Sequence, residues 1–247
     1  MYIFSPLDQF DIVVFSAINL GVIYVIITNL LSYLMLLIFL LFFVRVFFVD
    51  LYIVPKISQT ICEFLYKFIL SMAEQQLGSY AGAYFPFIFV TFVFILFCNL
   101  LGLMPYGFTV TAHLLVTFFL AFSYNLGFFF LGLFVHGRKF FKLFVPSGAP
   151  RALLPLIVGI EIVSYSIRSF SLAIRLFANM MAGHCLLYVV SSFAFDFLDS
   201  SVFYLVLFII FYLLIFVLEF AIAFLQAYVF VILLCIYLND SLTLGGH

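Results

Sequence analysis

Two apolar runs, residues 150–190 and 201–239, constrain this chain more than anything else in it. At a rise of 1.5 Å per residue each would extend ~60 Å as a helix, against a hydrocarbon core of ~30 Å. Unbroken helices of that length cannot stand upright in a bilayer, so they must tilt steeply or bend. The connector 191–200 carries Asp196 and Asp199, and the pair therefore reads as a helical hairpin. The whole chain suits such segments. It is 68% hydrophobic and 8% charged, with a mean hydropathy of +1.40, where a soluble domain carries about 25% charged residues. Its length allows roughly five or six spans of ~20 residues. A net charge of −1 excludes a nucleic-acid footprint. No glycine-rich phosphate loop and no Ser-His-Asp arrangement stands out. The four cysteines are scattered without a C-x-x-C pair and read as small buried hydrophobes.

The rest of the chain is a single membrane domain, 1–247, divided as follows. Residues 1–20 are a mixed N-terminal segment with Asp8 and Asp11 and no basic residue. Residues 22–49 read as one span. Segment 53–79 differs, because Lys56, Gln59, Glu63 and Lys67 recur at spacings of three and four, which is one helical face. It reads as an amphipathic helix on the membrane surface. Pro86 suits a helix opening, and the span 84–103 ends ahead of Pro105. A further span covers 112–135. Loop 136–149 is basic, with Arg138, Lys139 and Lys142, and Arg151 follows it. The predicted fold is an all-α polytopic membrane protein: about five membrane-embedded helices plus one amphipathic surface helix, the last two long and steeply tilted. Basic segments 45–74 and 136–151 place those loops on the cytoplasm-equivalent side. The N-terminus then faces the opposite side, and the C-terminus returns to the basic side.

Charges inside the apolar runs carry the functional signal. Arg175 lies deep in such a run, where insertion costs about 2.5–3.5 kcal/mol, and it cannot discharge by losing its proton. Glu161, Arg168 and Arg175 are spaced by seven, and Ser164, Ser171 and Asn179 extend the same stripe. His184 lies nine residues beyond Arg175, about half a turn round an ideal helix. In the last run Glu219 and Gln226 share a face, and Asp240 lies roughly 30 Å further along. Carboxylates and histidine can exchange protons, and relays of such groups mark proton paths in membranes. Arginine cannot join the relay, but it can hold a carboxylate ionised or block a leak. A structural ion pair of Glu161 with Arg168 is the alternative for those two. Interhelical hydrogen bonding is the alternative for Asn179 and Gln226, packing for His184, and an interfacial charge for Asp240. His113 and His136 read as interfacial.

Ser171-Leu-Ala-Ile-Arg-Leu-Phe-Ala-Asn-Met-Met-Ala-Gly-His184 resembles the signature of subunit a of the F-type ATP synthases. Phe97-Cys-Asn-Leu-Leu-Gly-Leu-Met-Pro-Tyr106, Phe108-Thr-Val-Thr-Ala-His113 and Leu218-Glu-Phe-Ala-Ile-Ala-Phe-Leu-Gln-Ala-Tyr-Val-Phe230 resemble its middle and final helices. Ser5-Pro-Leu-Asp-Gln-Phe10 is similar to the start of mature mitochondrial versions. The resemblance spans almost the whole chain in order. It implies a proton-translocating stator of the Fo sector, not itself catalytic for ATP chemistry, with no cofactor and no metal. Its implied partners are the c-ring, peripheral-stalk and other Fo subunits, and membrane lipids such as cardiolipin. The implied place is the mitochondrial inner membrane, with the N-terminus on the intermembrane side and the C-terminus in the matrix. Arg175 matches the arginine that separates two offset half-channels. His184 and Glu219 match the intermembrane-side half-channel, and Glu161 and Asp240 the matrix-side one. Asn179 and Gln226 match polar residues near the arginine, with Arg168, Asn99 and Ser171 in support. An ion-coupled transporter and a non-conducting scaffold of a respiratory complex are the alternatives. The first lacks an internal repeat, and the second would tolerate loss of Arg175 and Glu219.

Overall fold

The computed structural model describes residues 7–19, 24–47, 57–104, 107–137, 139–140, 154–197 and 202–243. Two strands, β1 (Val14–Asn19) and β2 (Tyr24–Thr28), precede six helices. These are α1 (Asn29–Phe47), α2 (Ile57–Leu77), α3 (Ala81–Gly102), α4 (Leu114–His136), α5 (Leu154–Phe197) and α6 (Val202–Thr243). Among the described residues, four stretches are long and apolar enough to cross a membrane: Gln59–Gly102, Leu114–His136, Leu154–Phe193 and Val206–Thr243. The protein is therefore a multi-pass membrane protein. The residues group into two compact units, and α3, α5 and α6 contribute to both.

One unit comprises Met1–Pro55, Val93–His113 and Phe177–Ala227. Its strands are rich in β-branched and aromatic residues, which favour extended backbone. They pair antiparallel, with an irregularity between Val14 and Ser16. Helix α1 follows at once. Thr28 caps it, its Oγ1 accepting from the Leu31 N–H at 3.3 Å. The Asn29 side chain donates back to the Asp11 carbonyl at 2.9 Å and pins the N-terminal segment. Helix α3 ends at Gly102, where any Cβ would collide with the Thr109 side chain. A 3-10 turn at Val110–Ala112, wholly buried, leads on towards α4. Leu103, Met180 and Ala223 form a buried cluster in this unit.

The other unit comprises Lys56–Phe92, Leu114–Leu176 and Tyr228–His247. Helix α2 is amphipathic. Ile69, Met72, Ala73 and Leu77 are buried, whereas Lys67, Ser71, Glu74 and Gln75 are exposed. Gly78, at φ +54°, then turns the chain in a left-handed conformation that glycine adopts without strain. The turn folds α2 back along α3: Tyr66 meets Phe85 at 4.7 Å between ring centres and Phe89 at 6.0 Å. Aromatic pairs carry much of the remaining packing. Phe87 meets Tyr124 and Phe128 on α4, and Phe118 meets Phe170 on α5. Each such pair contributes about 0.5–1.5 kcal/mol beyond its buried area. Gly132 leaves room for the fully buried Phe140 ring.

The two long helices agree with the sequence reading. With 44 and 42 residues, α5 and α6 extend about 66 and 63 Å. Several boundaries differ. The run taken as a span over 22–49 begins with β2, so helix starts only at Asn29; residues 22–23 and 48–49 lie outside the described set. Strands were absent from the all-α expectation, and this hairpin is the addition among the described residues. Pro86 lies inside α3 instead of opening it, because Gly78 had already reset the chain direction. The connector taken as 191–200 is helical through Phe197. No glycine or proline interrupts it, and Ser191 and Ser192 satisfy their hydroxyls on the carbonyls of Tyr188 and Val189. Residues 198–201 and most of the basic loop 136–149 lie outside the described residues.

Candidate functional site

In the first unit, α5 and α6 enclose a cavity of about 220 Å³. Its polar lining is Asn179, His184 and Glu219, and the remainder is apolar or glycine, including Leu103, Met180, Gly183 and Ile222. Glu219 is 6% exposed. Neither of its carboxylate oxygens has a hydrogen-bond partner among the described residues, and the same holds for His184 Nε2. Leaving such groups unpaired in an apolar setting is costly. The volume admits several waters at ~30 Å³ each. Gly183 makes the approach possible, since a Cβ there would stand 3.2 Å from the Glu219 carboxyl carbon and Oε1. The ring of Phe10 packs edge-on against the imidazole, with 6.4 Å between centres and 87° between planes.

Around this cavity a set of amides fixes α6. Asn179 Nδ2 donates to Gln226 Oε1 at 2.8 Å. Asn99 is fully buried and makes two bonds, donating to the Ala223 carbonyl at 3.2 Å and accepting from Thr111 Oγ1 at 3.0 Å. Ala223 lies one turn beyond Glu219 and one turn before Gln226. Asn99 therefore holds the stretch of α6 that carries both. The small Ala223 and Ala227, both fully buried, allow this close approach.

In the second unit, Arg168 Nη1 reaches Asp240 Oδ2 at 3.3 Å, and the guanidinium stands 5.9 Å from the centre of the Tyr237 ring. This corrects the alternative pairing of Arg168 with Glu161. Residues seven apart on one helix project in parallel, whereas Asp240 approaches from α6. His136, at the end of α4, bonds the Leu242 carbonyl through Nε2 at 2.8 Å. Glu161 is half-buried. Arg175 is exposed beside Ser171 and Ile174, while Leu172, Ala173 and Leu176 turn inward. No hydrogen bond or ion pair reaches Arg175 among the described residues. Ser171 and Asn179, one turn to either side of it on the same face, are exposed too.

Helical spacing had placed most of these residues, but three contributors escaped it. Phe10 and Thr111 meet their partners only through the tertiary fold. Gly183 directly precedes His184, and that adjacency was the one available signal. All four cysteines are free, with Cys98 and Cys235 buried. Among the described residues no cluster of three or more metal-ligating side chains occurs.

The comparisons with known proteins identify the family. The family model for the ATP synthase A chain matches residues 26–239. The ATP synthase subunit a of Brassica napus is 44% identical over 254 residues, covering 97% of this chain and 96% of that protein. That of Acanthamoeba castellanii is 45% identical, covering 96% and 97%. A bacterial one, from Parvibaculum lavamentivorans, is 45% identical over 78% of this chain and 75% of its own. With the family model covering most of the chain and relatives of this identity covering nearly all of it, the chain belongs to the ATP synthase A chain family.

Proposed function

We propose that Arg175 separates two proton half-channels in this chain, one built on His184 and Glu219 and the other on Glu161 and Asp240. Family membership makes the chain the proton-conducting, non-catalytic membrane subunit of the Fo stator. The observation that carries the finer reading is that Glu219 and His184 line one cavity and that their buried titratable atoms have no hydrogen-bond partner among the described residues. A proton entering from the intermembrane side is taken up there and passed to a carboxylate on the c-ring. Asn179 and Gln226 hold the path beside the cavity, with Asn99 behind them. Arg175, always charged, attracts the ring carboxylate once it is ionised and stops protons from passing directly between the half-channels. Its exposure on one face with Ser171 and Asn179 supports that role. After rotation the ring proton leaves through the Glu161 and Asp240 side, where Arg168 holds the Asp240 carboxylate. The driving force is about 2.3 kcal/mol per charge per 100 mV.

The membrane assigned is the mitochondrial inner one, with N-terminus on the intermembrane side. The basic segments support this. Peripheral-stalk subunits and lipids such as cardiolipin complete the surroundings. The test is ATP-driven proton pumping in vesicles carrying Arg175→Gln or Glu219→Gln, with assembly checked on a native gel. Assembled complex without coupled pumping is expected for both. Normal pumping from either assembled variant overturns the assignment of that residue.

A further inference from the structure

We infer that Phe10 is a positioning residue for His184: its ring restrains the angle of the imidazole beside the cavity that His184 and Glu219 line. The inference rests on the reading of His184 as a proton carrier given above.

An imidazole in a proton path is ordinarily oriented by a hydrogen bond to its second nitrogen. Among the described residues no hydrogen bond reaches His184, and its Nε2 is buried. Its preceding residue is Gly183, which offers no side chain to brace the ring. The cavity wall otherwise consists mainly of Leu103, Met180, Leu186, Ile215, Leu218 and Ile222, which can pack against the ring but cannot fix a tautomer or an angle by hydrogen bonding. The contact with defined geometry is Phe10, perpendicular at 87°. At 6.4 Å between centres the pair is within the ~4.5–7 Å of an edge-to-face contact. Phe10 therefore restrains the angle of the imidazole.

The restraint is itself anchored. Phe10 closes a 3-10 turn, with its N–H on the Leu7 carbonyl at 3.0 Å. The next residue, Asp11, gives its carbonyl to the Asn29 side chain at the start of α1, and the Asn29 N–H bonds the Val13 carbonyl at 3.0 Å. A segment near the N-terminus, outside every long helix, is thereby fixed against a residue on α5.

The test compares Phe10→Leu, Phe10→Met and Phe10→Tyr with His184→Ala in vesicles containing the complete ATP synthase. ATP-driven pumping is followed across pH, and assembly is followed on native gels. Phe10→Leu and Phe10→Met should assemble, slow pumping roughly two- to tenfold and change its pH profile. Phe10→Tyr, which keeps the ring, should restore both rate and profile. In the His184→Ala background the Phe10→Leu effect should vanish. A normal rate and profile in assembled Phe10→Leu, while His184→Ala is defective, overturns this inference alone. Normal pumping by His184→Ala overturns the underlying reading. Failed assembly of both the Leu and Met variants, or equal loss in Phe10→Tyr, makes Phe10 merely structural and also overturns the inference.

Discussion

Asn99 sits fully buried between two partners, and its two bonds do different work. Asn99→Leu is similar in size and removes both. The Ala223 carbonyl lies within α6 and keeps its intrahelical acceptor role, so its loss is small. Thr111 is different. Its side chain is 4% exposed, and the substitution strands its hydroxyl at a cost of about 1–3 kcal/mol. Thr111→Val alone strands Asn99 Oδ1 instead. The double variant replaces both groups with apolar ones of matching shape and should recover most of the loss, giving a coupling of about 1–2 kcal/mol. That is roughly a five- to thirtyfold difference in the equilibrium. The assay is the heat-step midpoint of solubilised complex on native gels, for wild type, both singles and the double. Additive losses, equal to the sum of the singles within about 0.5 kcal/mol, would refute the pairing as an energetic unit. Pumping gives the second bond separately. The double variant recovers stability but still lacks the Asn99 bond that positions α6 between Glu219 and Gln226, so its pumping should stay impaired. Full recovery of pumping would refute that positioning role.

Three further outcomes are expected. Gly183→Ala should raise local helix stability by about 1 kcal/mol yet slow pumping, because the new Cβ stands 3.2 Å from the Glu219 carboxyl; equal rates in assembled complex would show that the carboxyl gives way without effect. Asn179→Leu removes the partner that the buried Gln226 has among the described residues and should lower the same heat midpoint by an amount corresponding to about 1–3 kcal/mol, whereas an unchanged midpoint would mean that the amide repacks. His113, in the connector between α3 and α4, is held by burial below its ordinary pKa of 6.5. Its neutral form is favoured in the folded chain, so its contribution to stability is complete above 6.5 and lost as pH falls below that value. His113→Gln should flatten the acid side of the heat midpoint measured from about pH 8 to 5, and an unchanged slope counts against the assignment.

The membrane class, the two long helices and the charged positions were legible because each leaves a mark at short range. Apolar length reports spans, and spacing by three, four or seven reports a shared face. Interhelical hydrogen bonding was one of the two readings left open for Asn179 and Gln226, and the structure shows that bond; the close approach of Gly183 to the Glu219 carboxyl was not legible, since it depends on how α5 meets α6. The partner of Arg168 shows the limit most clearly. Periodicity offered Glu161 on the same helix, whereas the structure chose Asp240, 72 residues away. The start of α1 was missed for a different reason. The run over 22–49 carries no charge before Arg45 near its end, and hydropathy cannot separate a strand of Tyr24-Val-Ile-Ile-Thr28 from the helix after it. Pro86 misled because proline is favoured in a first turn, but a glycine upstream had already taken over the corner.

That corner at Gly78 has a consequence for which residues can stand there. Open space surrounds the position of its missing Cβ, with no atom within 4 Å, so volume is irrelevant there. What excludes other residues is handedness, since an L side chain at φ +54° costs about 1–2 kcal/mol. Asparagine would be the least harmful replacement and a β-branched residue the worst. Without the reversal, the chain from Ile57 to Gly102 would run on as a single rod, and every later crossing would enter the bilayer from a different place. The constraint at this position is therefore the chirality of one turn, and D-alanine would serve there as well as glycine.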